Sequence, residues 1–124
     1  MVVSGCAGAK ASTVTPTDGV ASLPMADFPE LSQSGGQAVI SVAGVKGMVV
    51  VFQRPDGSYG AVSQKCTHAG CKVAYEGGED QLQCRCHGSA FSPDGAVVNG
   101  PAKEPLKTYP VQVEGDTLMV STGG

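Results

Sequence analysis

The chain has 124 residues, 41% of them hydrophobic, 15% charged and 5% aromatic, with 18 Gly, 8 Pro and a formal net charge of −3. That length suits one domain with one hydrophobic core, and charge this sparse excludes a solvated disordered chain or a charged helical bundle. The acidic balance argues against a basic stripe for nucleic acid, and no apolar stretch is long enough to cross a bilayer as a helix.

The first notable segment in chain order is Val3-Ser4-Gly5-Cys6-Ala7. Small residues leading into a Cys resemble a bacterial lipoprotein cleavage site, with Cys6 as the lipidated residue. The resemblance implies an extracytoplasmic protein held on a membrane by a lipid anchor. Residues 7–24 are rich in Ala, Ser, Thr, Gly and Pro and read as a flexible tether. The tail is expected to occupy residues 1–36 and the folded domain residues 37–124.

From residue 37 onward the pattern is β. The chain holds seventeen Val against five Leu and one Ile, and β-branched side chains pack well on a pleated surface. No apolar repeat at 3.6-residue spacing lasts beyond two turns. Strands are expected over residues 37–43, 47–53, 58–63, 72–75, 81–84, 96–99, 106–113 and 117–121. Turn sequences separate them, among them Arg54-Pro55-Asp56-Gly57, Ser92-Pro93-Asp94-Gly95 and Glu114-Gly115-Asp116. Pro presets φ, Asp bonds its own backbone, and Gly accepts a positive φ. The fold class expected is all-β, a small antiparallel sandwich or barrel.

Chemistry concentrates in two boxes, Cys66-Thr67-His68-Ala69-Gly70-Cys71 and Cys84-Arg85-Cys86-His87-Gly88-Ser89. They contain both His and four of the five Cys of the chain. Each box offers a Cys–His pair and one further Cys. Two surface His with a disulfide, a mononuclear zinc site and a binuclear iron centre are the readings open to such a set. Zinc-finger spacing keeps Cys with Cys and His with His. One thiolate and one imidazole per loop suits a binuclear centre with thiolates on one metal and imidazoles on the other.

The paired boxes resemble the Rieske iron–sulfur signature, Cys-x-His-x-Gly-Cys with Cys-x-Cys-His-Gly-Ser. The resemblance implies a Rieske β-fold with a small cluster-binding part at about residues 63–93, holding one [2Fe-2S] cluster. Cys66 and Cys84 would ligate one iron, and His68 and His87 the other. Cys71 and Cys86 would form a disulfide between the loops, a feature of the high-potential group in cytochrome bc complexes and related respiratory proteins. Imidazoles in place of thiolates raise the potential. Reduction beside them raises the pKa of the ring nitrogens facing away from iron, which couples electron to proton uptake. The implied function is one-electron transfer in an extracytoplasmic respiratory or photosynthetic chain. A c-type cytochrome or similar protein is the expected acceptor, with quinol and cytochrome b as further candidate partners. No nucleophile with its base is evident.

The resemblance extends to residues around the cluster. Ser89 would donate its hydroxyl to a bridging sulfur. Phe91 stands where high-potential members carry a Tyr, so a donor to a ligand sulfur is missing. Ala69 replaces a usual Leu that caps the cluster. Gly100-Pro101-Ala102 resembles the start of a covering proline loop, with Lys103-Glu104 inserted before Pro105. Lys65, Lys72 and Arg85 are matched in number by Glu76, Glu79 and Asp80, so the cluster region is expected to be near neutral. Ala69, Phe91 and the altered loop favour a free-standing lipid-anchored carrier over a subunit of a quinol-oxidising complex.

Overall fold

The protein is described here by a computed structural model covering residues 12–65, 71–84, 86, 88–100 and 102–122. Strands account for most of its regular structure. They are β1 (Ser12–Val14), β2 (Val20–Pro24), β3 (Gln37–Val42), β4 (Met48–Gln53), β5 (Tyr59–Ser63), β6 (Val73–Glu76), β7 (Gln81–Cys84), β8 (Ala90–Phe91), β9 (Val97–Asn99), β10 (Val111–Glu114) and β11 (Thr117–Ser121). Three sheets result, ordered β1-β3-β4-β5, β10-β11-β2 and β6-β7-β8-β9. Every pairing is antiparallel except β1 with β3.

β4 organises the interior. Val49, Val50, Val51 and Phe52 are all fully buried. Successive side chains on a strand point to opposite faces, so this one strand feeds two cores. Val49 and Val51 join Ile40, Leu23, Leu31 and Leu118 in the core of the base. Val50 and Phe52 join Val73, Tyr75, Leu82, Cys84 and Phe91 in a second core under the β6-β7-β8-β9 sheet. A continuous Val-rich run with no polar alternation is what burial on both faces requires.

The segment expected as a tail through residue 36 carries structure from Ser12 onward. β2 pairs along its whole length with β11, from Thr117↔Pro24 to Ser121↔Val20. Two short 3-10 helices follow, Met25–Asp27 and Pro29–Ser32. Ala21, Leu23, Phe28 and Leu31 are buried in the base. Val14 and Met25 pack against the same core partly buried, and apolar side chains this few do not dominate the composition of a polar, Pro-bearing segment. Cys6 lies outside the described residues.

The expected strand at 106–113 is shorter than its apolar pattern. Residues 106–109 run beside β5 with a single bridge, Val62↔Thr108, and regular pairing begins only at Val111. Pro110 has no N–H to continue a ladder. The Ser92–Gly95 turn packs beneath this segment. Gly95 has φ +90°, and a Cβ there would lie 2.6 Å from the Leu106 carbonyl oxygen, so only Gly fits.

Candidate metal centre

The β6–β7 hairpin carries the end of the first box into the start of the second. Its ladder begins with Val73↔Cys84 and ends with Glu76↔Gln81. At the neck, Lys65 and Lys72 face each other across an isolated antiparallel bridge, and the Val73 N–H donates to the Gln64 carbonyl at 2.8 Å. The segment between, residues 66–70, lies outside the described residues, and so do His87 and Pro101. Of the expected ligands, therefore, only Cys84 can be placed. Ala69 is likewise not described.

Cys84 closes β7 and is buried, with its thiol free. Its backbone N–H donates to the Ser89 carbonyl at 2.8 Å, and its carbonyl accepts from Gly88 at 3.2 Å. The second box is thus drawn into a tight loop, with Gly88 at φ +79°. Cys71 and Cys86 form the disulfide that joins the boxes, with Cα atoms 6.3 Å apart. The sulfurs of Cys71, Cys84 and Cys86 all lie within 4.8 Å of one another.

This donor chemistry fits an iron–sulfur centre. A disulfide sulfur has no thiolate to offer a metal, so bonding Cys71 to Cys86 leaves Cys84 as the one free soft donor of the three. It also removes a three-thiolate metal site from consideration.

Ser89 is fully buried. Its Oγ accepts the backbone N–H of Ala102 at 3.1 Å. A hydroxyl that accepts one hydrogen bond still has its own hydrogen to donate. The contact ties the Gly100–Pro105 segment to the second box. Asn99 adds a weaker tie, its Nδ2 donating to the Gly88 carbonyl at 3.3 Å. Phe91 is fully buried in the same core as Cys84. The anchoring roles of Ala102 and Asn99 were not apparent in the sequence, because a backbone donor has no residue-type signature and a lone Asn before Gly is common in turns.

The far end of the hairpin is held to the base. Gln37 makes a two-point contact with the Tyr75 backbone, Nε2 to the carbonyl at 2.8 Å and Oε1 from the N–H at 2.9 Å. The Tyr75 ring stacks on Phe52 with centroids 4.2 Å apart, and its hydroxyl donates to Asp80 at 2.6 Å. Arg54 grips the same carboxylate from the β4–β5 turn at 2.8 Å. The Arg54 hydrogen bond holds the Asp80 carboxyl below its usual range. Burial, then the bond to Asp80, pushes the Tyr75 hydroxyl well above its own.

Topology also separates charges that the sequence had paired. Glu76, Glu79 and Asp80 occupy the distal end of the hairpin, about 13 Å of strand or more from Lys72. Among the described residues these carboxylates stand apart from the Lys65–Lys72 bridge.

A Rieske [2Fe-2S] domain model matches residues 22–110. The cytochrome b6-f complex iron-sulfur subunit 1 of Synechocystis sp. is 40% identical over 83 residues, covering 64% of this chain and 47% of that protein. The corresponding subunit of Chlorobaculum tepidum is 40% identical over 72 residues, covering 58% of this chain and 40% of its own length. The chain thus spans less than half the length of these curated relatives. Among solved structures, the plasma membrane Rieske protein PetC3 of Synechocystis PCC 6803 superposes with a TM-score of 0.61 at 34% identity, covering 78% of this chain and 93% of that one. The domain model and these relatives agree: this chain belongs to the Rieske [2Fe-2S] family, and its cofactor is one [2Fe-2S] cluster.

Proposed function

We propose that the protein is a one-electron carrier in which Cys66 and Cys84 hold one iron and His68 and His87 the other. The observation that carries this reading is the Cys71–Cys86 disulfide, which joins the two boxes while leaving the buried Cys84 thiol free. When bound, the cluster would supply a one-electron couple, and His68 and His87, if they are ligands, would take up protons on its reduction. Ser89, whose Oγ accepts the Ala102 N–H, would have its own hydrogen left to donate to a cluster sulfur. By the family resemblance, Gly100 and Pro101 would belong to a segment covering the cluster. A stable disulfide suits an oxidising compartment, so the carrier works outside the cytoplasm, held to the membrane by a lipid on Cys6. Its acceptor is a c-type cytochrome or similar protein.

Iron and labile sulfide measured on purified protein test the ligand set. Wild type is expected to hold two of each, and Cys84→Ser or His87→Ser none. Colourless wild-type protein, or one bound tetrahedral ion, overturns the reading and restores the zinc alternative. Mass spectrometry of protein from native membranes tests Cys6; an unmodified Cys6 excludes the lipid anchor. A second reading, as the Rieske subunit of a quinol-oxidising cytochrome complex, draws support from the 40% identity to cytochrome b6-f subunits. Quinol-site inhibitors block reduction of the protein in membranes under that second reading and leave it unaffected under the first.

A further inference from the structure

The described segments that meet at the boxes bear Lys65, Lys72 and Lys103, all exposed. Lys65 and Lys72 stand directly opposite each other in their bridge. Like charges so placed destabilise a strand pair, so the arrangement works against the fold. Lys103 follows Ala102, whose N–H is fixed to Ser89. None of the three is ion-paired with a described residue. Glu104, engaged with another group, is the one carboxylate on these segments. Beside them, β9 ends at the Asn99 contact to Gly88 and exposes Val98 to 52%. The remaining carboxylates sit on other elements, including the distal hairpin turn and the β10–β11 turn.

We propose that this end is a cationic docking face, with Val98 as an apolar contact, for a redox partner protein that presents an acidic surface. The inference rests on the carrier reading, since it is the site of electron exchange that the face surrounds. The chain as a whole carries −3 and would repel such a partner. The two charges act over different ranges. At 0.1 M ionic strength the Debye length is about 10 Å, so a partner at the face feels the lysines, while remote carboxylates are screened. Focused local charge of this kind raises encounter rates by about tenfold or more.

Small redox probes separate the local from the global charge. One electron passes from reduced protein to hexacyanoferrate(III), giving hexacyanoferrate(II), or to tris(phenanthroline)cobalt(III), giving the cobalt(II) complex. Between about 0.05 and 0.5 M salt, the rate with the hexacyanoferrate anion is expected to fall about tenfold, and that with the cobalt cation to rise. The triple variant Lys65→Gln/Lys72→Gln/Lys103→Gln is expected to invert the anion's salt dependence, with the visible spectrum as wild type. Lys103→Gln alone, remote in sequence from the boxes, is expected to shift it partway. Hexacyanochromate(III), a paramagnetic anion that takes no electron, should broaden the amide signals of Lys72, Lys103 and Val98 before those of β10 and β11. A hexacyanoferrate rate that rises with salt in wild type, or broadening spread evenly over the surface, overturns the docking face. Protein without iron defeats the carrier reading instead, and the inert anion still reports on the surface.

Discussion

Ser89 has one hydroxyl and two directions to satisfy. Accepting from Ala102 fixes the covering segment and leaves one hydrogen to point at the site. Ser89→Ala strands a buried backbone N–H, since Ala102 is itself only 4% exposed, and is expected to cost about 1–3 kcal/mol. The same change is expected to lower the reduction potential, while Ser89→Thr keeps both the stability and most of the potential. Urea unfolding and voltammetry on the three proteins check this; a potential unmoved in Ser89→Ala refutes the hydroxyl's role at the cluster. Phe91 poses the converse case. It is fully buried and shares a core with Cys84, so a hydroxyl added by Phe91→Tyr needs an acceptor there, and the proposed ligand Cys84 is the candidate. A bond to a ligand sulfur would stabilise the electron-rich state, so voltammetry is expected to show a higher potential in the variant, and an equal or lower one contradicts it. These side chains were legible in the sequence because the box pattern points to them. Ala102 and Asn99 were not, because a backbone N–H and a turn Asn acquire meaning only once the fold brings residues 88–89 against 99–102.

β6 and β7 show what strand patterns convey and what they leave out. The alternation in Val73-Ala74-Tyr75 and Leu82-Gln83-Cys84 marks the hairpin, and Gly-Gly between them marks its turn. The pattern is silent on where the hairpin's far end attaches. Gly35 and Gly77 meet backbone to backbone, with a Cβ on Gly77 only 2.7 Å from the Gly35 Cα, and Arg54, Tyr75 and Asp80 close the same junction. Residue types so separated in sequence give no local cue to their meeting. β8 was missed for another reason: two residues, Ala90 and Phe91, are too short to show any period. The junction makes stability depend on pH at both ends. Asp80 holds its proton less tightly in the folded protein than in the unfolded chain, so its contribution is present above about pH 4 and lost below it. Tyr75 holds its proton more tightly when folded, so its contribution is present below about pH 10 and lost above it. With side chains 36% and 31% exposed, water screens the Arg54–Asp80 pair, and about 1 kcal/mol or less is expected from it. Urea unfolding of wild type and Asp80→Asn should therefore give a stability gap that closes as pH falls from about 6 to about 3. A gap that stays constant over that range rules out this assignment.

At the scale of the whole molecule, β4 lets one short chain support a base and a cluster-bearing layer, because its two faces serve separate cores. The all-β class followed from composition and turn spacing. The inclusion of residues 12–36 did not, since β1 and β2 find their partners in β3 and β11 rather than in neighbouring sequence. The boxes are fastened to this frame on one side by the hairpin and on the other by Ser89, and to each other by the disulfide. Bridging residues 15 apart is worth about 3 kcal/mol if it acts by restricting the unfolded chain. Its second consequence is specific to this arrangement of sulfurs. Removing Cys71 alone leaves the Cys86 thiol free within 4.8 Å of Cys84, and oxidation by oxygen can then join Cys84 to Cys86 and take away the proposed cluster ligand. Cys71→Ser is therefore expected to lose iron in air faster than Cys71→Ser/Cys86→Ser, although the double variant has one more native sulfur removed. Under strictly anaerobic conditions the two variants should release iron at similar rates, both faster than wild type, because only the loosened loops then matter. Iron release to a chelator, followed with and without oxygen, decides between these causes. Equal loss from both variants in air excludes the oxidation route, and retention as in wild type by the double variant shows that the disulfide does not hold the two boxes together.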